Sequence, residues 1–286
     1  RQIEEFTLNT IRKSAVFQES QHYLGELKQV MEEYGGVVHE QEFLNHIDSN
    51  NLAQNHTHFL LVLGGAFTKL KEGDEFHHRW TVDVELARRI EDCLRGVCHD
   101  LDENVLLPES EMIETVLKKY GAPERTEADK VRAKRWLKIS KDIDMSPVGE
   151  WGLSRSPNVR VRGIRDYAFL VLRKHGSPMH FREVAKAIQT NFSKKANPAT
   201  CHNELIKDKR FVLVGRGIYA LAEWGYTRGV VRDVIKEILA SDGPLPEAQV
   251  LEKVMKERHV KPNTILVNLK NPKYFKKDKS GKYVAV

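Results

Sequence analysis

Residues 197–221 read NPATCHNELIKDKRFVLVGRGIYAL, and this stretch decides the fold. Asn197 is a helix N-cap residue, and Pro198 suits the first helical turn, where its missing amide hydrogen has no partner to lose. Cys201 and Leu205 lie four apart and share the face that turns to a core. Thr200, Asn203 and Lys207 share the opposite face, with His202 beside it. Arg210 to Val214 then reads as a strand, Gly215-Arg216-Gly217 as a tight turn and Ile218 to Leu221 as the return strand. Both glycines are expected to take the positive φ such a turn demands. Upstream, a helical stretch opens at Ile164-Arg165-Asp166 and stops at Gly176. After it, Phe181, Val184, Ala185 and Ile188 recur at helical spacing on what reads as a core-facing stripe. Three short helices followed by a two-stranded hairpin is the winged-helix arrangement.

Internal repetition extends this pattern along the chain. Glu150-Trp151-Gly152-Leu153-Ser154-Arg155 is echoed by Glu223-Trp224-Gly225-Tyr226-Thr227-Arg228. Farther on, two copies align without gaps at an offset of 64, pairing Pro198 with Pro262, Thr200 with Thr264, Leu205 with Leu269, Phe211 with Phe275, Gly217 with Gly281 and Tyr219 with Tyr283. Leu251 and Val254 repeat the second helix's apolar pattern. Two weaker copies precede them. The first has helices at 20–34, 39–47 and 56–65 and strands at Phe67–Leu70 and Phe76–Trp80 around Gly73-Asp74. The second has helices at 84–99, 108–120 and 127–138 and a longer wing ending at Trp151. Trp80, Trp151 and Trp224 are expected to plug one core each. The expected fold is therefore mostly α with small β-wings (α+β), a tandem array of about four winged-helix modules. Its segments are 1–14 (the end of a separate helix), 15–83, 84–155, 156–226 and 227–286.

The formal charge of +6 hides an asymmetry. Residues 1–159 hold 20 Lys and Arg against 28 Asp and Glu, a net of −8, whereas residues 160–286 hold 26 against 12, a net of +14. Such a concentrated positive field attracts polyanions, nucleic acid first among them, unless it is only a solvated lysine surplus. The acidic first part is repelled by phosphate and reads as a protein-contact region.

The stretch from about Val161 to Tyr226 resembles the HARE-HTH family, a winged-helix domain of the bacterial RNA polymerase delta subunit and of several chromatin and restriction proteins. Arg165-Asp166-Tyr167-Ala168, the run Gly176 to Glu183, Thr200 to Ile206 and Phe211 to Leu221 carry the resemblance. Residues 227–286 look like a diverged relative. The first fourteen residues, RQIEEFTLNTIRKS, resemble the end of the recognition helix in region 4 of housekeeping sigma factors, with Leu8, Ile11, Arg12 and Lys13 as its spaced turns and basic end. Together these imply a sigma-like or polymerase-associated bacterial protein, cytoplasmic and nucleoid-associated, whose partners are duplex DNA and RNA polymerase.

In a helix-turn-helix the exposed face of the third helix enters the major groove and the wing lies along phosphate. Asn203 suits an adenine edge, and Thr200 and His202 suit bases or phosphates, although Asn203 or Thr200 could instead bond its own helix. Lys194, Lys195, Asn197, Lys207, Lys209, Arg210 and Arg216 complete the DNA-contact set of this module, the cations as phosphate contacts. In the last module Leu266 and Val267 replace His202 and Asn203. Thr264, Lys270, Lys276, Lys277, Lys279 and Lys282 remain, which favours backbone grip over base reading.

No phosphate loop, nucleophile elbow or His-Glu-x-x-His occurs, so no enzyme, cofactor or small-molecule substrate is expected. Cys93 and Cys98, five apart on a helix, point apart, and no metal site is expected. Three cysteines fit a reducing compartment better than a disulfide framework. No apolar run reaches the roughly 20 residues of a membrane span. The chain opens at Arg1 with neither methionine nor leader, which reads as a piece of a longer one. The alternative function is a protein–protein adaptor that docks polymerase without reading DNA.

Overall fold

Ser14, Asn50, Asp83, Thr126 and Asn197 each accept a backbone amide at the head of a helix, and those bonds set where five helices begin. The computed structural model describes residues 2–122, 125–226, 229–258 and 260–286. Arg1 of the sigma-like segment, and Thr227-Arg228 of the tryptophan repeat, lie outside the described residues. The protein is mixed α/β, with helices dominant and small antiparallel sheets. It divides into two units, Arg1–Arg160 and Val161–Val286.

The first unit runs α1 (Gln2–Arg12), α2 (Ala15–Glu19), α3 (Gln21–Tyr34), β1 (Val37–His39), α4 (Glu40–Ile47), α5 (Asn51–Leu63), β2 (Thr68–Leu70) and β3 (Arg79–Thr81). It continues through α6 (Val84–Asp100), α7 (Glu109–Tyr120), α8 (Glu127–Leu137), β4 (Ile143–Met145) and β5 (Trp151–Leu153). The second unit runs α9 (Ile164–His175), β6 (Met179–His180), α10 (Phe181–Phe192), α11 (Pro198–Lys207), β7 (Phe211–Gly215) and β8 (Ile218–Leu221). After a 3-10 turn at Ala222–Trp224 come α12 (Val231–Asp242), α13 (Glu247–Glu257), α14 (Pro262–Leu269), β9 (Phe275–Lys277) and β10 (Tyr283–Ala285).

One order of elements recurs four times among the described residues: helix, short strand or single bridge, helix, helix, hairpin. The strand after the first helix is an addition to the arrangement expected from sequence. It is β1 and β6 in two copies, and single bridges from Leu107 to Trp151 and from Leu245 to Tyr283 in the others. Two or three residues are too few to show the period of a strand. In the second unit the offset of 64 extends to pairing register. Phe211, Val212 and Leu213 face Leu221, Ala220 and Tyr219, and Phe275, Lys276 and Lys277 face Ala285, Val284 and Tyr283.

Other expectations need correction. Helix α5 begins at Asn51 rather than residue 56, because Asn50 accepts from the Leu52 amide and starts it early. Phe76 is not in a strand of its own hairpin; it bridges Ser140, while the His77 amide donates to Ile139 (2.9 Å) and the Lys141 amide to Glu75 (2.7 Å). The first copy's loop thus joins the second copy by main-chain bonds. Trp80 and Trp151 are core residues, but Trp224 is half-buried over a small cluster with Val212, Val214 and Ala220. Trp136, which carries no signal in the repeats, is buried and donates to the Gly35 carbonyl at 2.9 Å. Residues 156–159 stay with the first unit: Asn158 donates to the Asn104 carbonyl (3.0 Å) and Val159 packs beside Gly152. In α1, Leu8 and Ile11 pack on the first core, and the Arg12 guanidinium donates to the Leu63 and Val62 carbonyls, closing the C-terminus of α5.

Between the first two copies the rings of His39 and His77 meet edge-on, 5.1 Å apart. Burial pushes both pKa values below the usual 6.5, with the neighbouring His77 charge adding for His39 and Lys141 for His77. The unfolded chain therefore binds protons more readily, and stability is lost as pH falls from about 6.5 through the lower folded values. Melting of the first unit should drop through that window. His39→Asn with His77→Asn should flatten the dependence, since asparagine can keep the cap His39 provides to the Glu42 amide. An unchanged profile in the double variant would remove the histidines as its cause.

Candidate nucleic-acid interface

Helix α11 is anchored on one side and open on the other. Cys201 and Leu205 are buried against α9 and α10, and burial pushes the Cys201 thiol up to about 11. Thr200, Asn203 and Lys207 are exposed on the opposite face. Lys207 lies 4.0 Å from Glu204, too far to hold it. Asn197 caps the helix, its side-chain oxygen accepting from the Ala199 amide at 2.8 Å, and the residue is exposed at the head of α11. Lys194, Lys195 and Lys209 are exposed.

The wing is tied to the head of α10. Only Gly217 takes positive φ (+73°); Gly215 ends strand β7 and does not, so one left-handed residue suffices for the turn. The Gly217 carbonyl accepts from the Phe181 amide at 2.9 Å, and a Cβ on Gly217 would come within 2.8 Å of His180 Nε2. Arg216 is left exposed at the tip. Beneath it, ring centroids of His180 and Phe181 lie 4.4 Å apart, and those of Phe181 and His202 4.5 Å. Phe181, a core position by its helical spacing, is only half-buried, and its ring lines a shallow pocket with His180, Arg182, His202 and Arg216. His202 Nδ1 lies 3.1 Å from the Tyr219 hydroxyl. Burial pushes that phenol up to about 12, so it keeps its proton and can donate it to His202. Arg182, next to Phe181 in sequence, is absent from the expected contact set because a helix-head arginine carries no motif.

Arg210 is the main correction. Its guanidinium reaches Asp166 and Asp208, each at 2.7 Å, and lies over the Phe169 ring. Asp166 also accepts from the Gly163 amide, and is 4% exposed. Burial alone would raise the Asp208 pKa, but hydrogen bonds and charge from Arg210 hold it below the usual carboxylate value. Arg210 fastens β7 to the start of α9, its guanidinium held by two carboxylates rather than standing free on the wing. The clue in the sequence is Asp208, two residues before it.

In the last copy Ile265 and Leu269 fill the core, while Thr264, Lys270 and Val267 are exposed, Val267 at 65%. Asp278 shapes the wing by accepting from the Ser280 (2.8 Å) and Lys282 (2.9 Å) amides. Lys276, Lys277, Lys279 and Lys282 are all exposed around it. The equivalent helices of the first unit are committed differently. Arg135 of α8 donates to the Tyr34 carbonyl (2.8 Å), and Lys130 and Lys134 pair with Glu127 and Glu109. Helix α5 contains no Lys or Arg and exposes Leu52 and Phe59. Among the described residues no group of His, Cys, Asp and Glu could hold a metal ion, and no helix is long and apolar enough to cross a membrane.

Residues 164–224 match the HARE-HTH family, whose description names the helix-turn-helix domain of ASXL proteins and restriction endonucleases. That is a family of helix-turn-helix DNA-binding domains, and the match supports a DNA-binding role. No curated protein matches the chain.

Proposed function

We propose that this is a non-enzymatic transcription protein that binds duplex DNA through two basic winged-helix modules in residues 161–286. The observation that carries the reading is the open face of α11, with Thr200, Asn203 and Lys207 exposed beside the Arg216 wing, inside the segment that matches a DNA-binding family. Asn203 reads a base edge, Lys194, Lys195, Lys207, Lys209 and Arg216 take phosphates, and the aromatic pocket orients His202. The last module, with Val267 where Asn203 would stand, grips phosphate through its lysine wing. The first unit, acidic and with α8 spent internally, contacts protein. RNA polymerase is the partner proposed, on the sigma-like resemblance of residues 1–14. A pure adaptor is the second reading, favoured by the exposed Leu52 and Phe59 of α5.

Asn203→Ala should flatten preference among DNA sequences by about 1–3 kcal/mol. Lys276→Ala with Lys277→Ala should weaken all sequences alike and lower the salt slope by up to about two. Competition binding on a panel of duplexes separates them. A uniform loss from the Asn203 change would remove base reading from α11.

A further inference from the structure

Arg258 is a buried cation with no place on the DNA-facing surface. It caps the C-terminus of α13 and is 4% exposed. Its guanidinium reaches into the other copy of the fold, donating to the Leu213 carbonyl and, at 2.6 Å, to the Gly229 carbonyl. Leu213 lies on β7, the edge strand of the order β6-β8-β7, at a register shift before Gly215. Outward carbonyls of an edge strand have no partner within their sheet, so a guanidinium there satisfies one and covers the edge. Gly229, at φ +117°, lies between the two copies. Burial pushes the guanidinium pKa below its usual value, partly offset by Glu257, Glu237 and Asp233. Beside this joint a cleft is lined by Ile206, Lys207, Lys209, Leu213 and Gly229. The last copy is therefore fastened at the foot of α11, next to the candidate phosphate contacts Lys207 and Lys209.

We infer that residues 161–286 grip one duplex as a single two-handed body, with Arg258 as the positioning residue that holds the lysine-rich wing of the last copy in fixed relation to α11. The inference rests on the DNA-binding reading. When the first hand is bound, a fixed joint makes the second contact intramolecular, at high effective concentration; a loose joint dilutes it.

The test uses the full chain and two duplexes of the same preferred sequence, one of about one helical turn and one of about three. The native chain should bind the longer duplex at least about tenfold more tightly than the shorter. Arg258→Ala should lose most of that gain with short-duplex affinity unchanged. Arg258→Lys, which keeps the charge but lacks the two-pronged donor, should fall between. A merely structural role would lower binding to both duplexes together. If neither duplex binds the native chain, the DNA-binding reading itself fails. If the native chain binds both equally, or if a folded Arg258 variant keeps the gain, the two-handed grip is wrong. The native comparison stands even where the alanine variant does not fold.

Discussion

Residues 161–286 alone should bind duplex DNA and lose roughly one to three decades of affinity between low and physiological salt, while residues 1–160 should not bind. The second unit holds 25 Lys and Arg against 12 Asp and Glu, the first 21 against 28. Each neutralised phosphate releases condensed counterion with a slope of about 0.9, so four to six contacts would account for the loss. The exposed cations at Lys194, Lys195, Lys207, Lys209 and Arg216, with four more on the last wing, suffice without Arg210. Each unit has cores of its own, so both fragments can be titrated separately. Equal binding by the two, or binding indifferent to salt, would end the electrostatic argument.

Arg210→Ala should cost about 3–5 kcal/mol of stability in the second unit, the range for breaking a buried ion pair from one side. The loss is large because the buried Asp166 and the half-buried Asp208 would remain as carboxylates without their shared cation. Denaturant unfolding measures the cost. DNA affinity, measured where the variant is still folded, should stay within about twofold, since a group held inside the domain has no phosphate to lose. Weakened DNA binding with unchanged unfolding would return Arg210 to the interface and refute the structural assignment.

The contrast between the exposed cations and the internal Arg210 marks what a sequence can and cannot reveal. Caps, apolar periodicity and the repeat at an offset of 64 are local signals, and they place most of the helices within a few residues; the start of α5 and the five-residue α2, where no helix is expected, are exceptions. Cys201 and Leu205 four apart are enough to identify the closed face of α11, and hence its open one. Arg210 reads as a wing cation because Asp166, the buried one of its two partners, lies 44 positions away, and nearby Asp208 alone does not show that the pair is held inside the domain. Strand β6 and the Phe181 pocket share that cause: both exist only because Gly217 returns to the head of α10. The docking of α8 through Trp136 is invisible for the same reason, since an amphipathic helix does not say what covers it.

The paired hairpins of the second unit amount to an experiment that the chain has performed on itself. Between one and the other, the asparagine of the open helix face has become Val267 and the exposed Arg216 of the wing tip has become Ser280, yet strand register and the left-handed glycine are unchanged at φ +73° and +78°. The scaffold therefore tolerates turnover of its outward chemistry while its hydrogen-bond ladder stays in step. An engineer could exchange the surface residues of one hairpin for those of the other and expect the backbone to accept the graft.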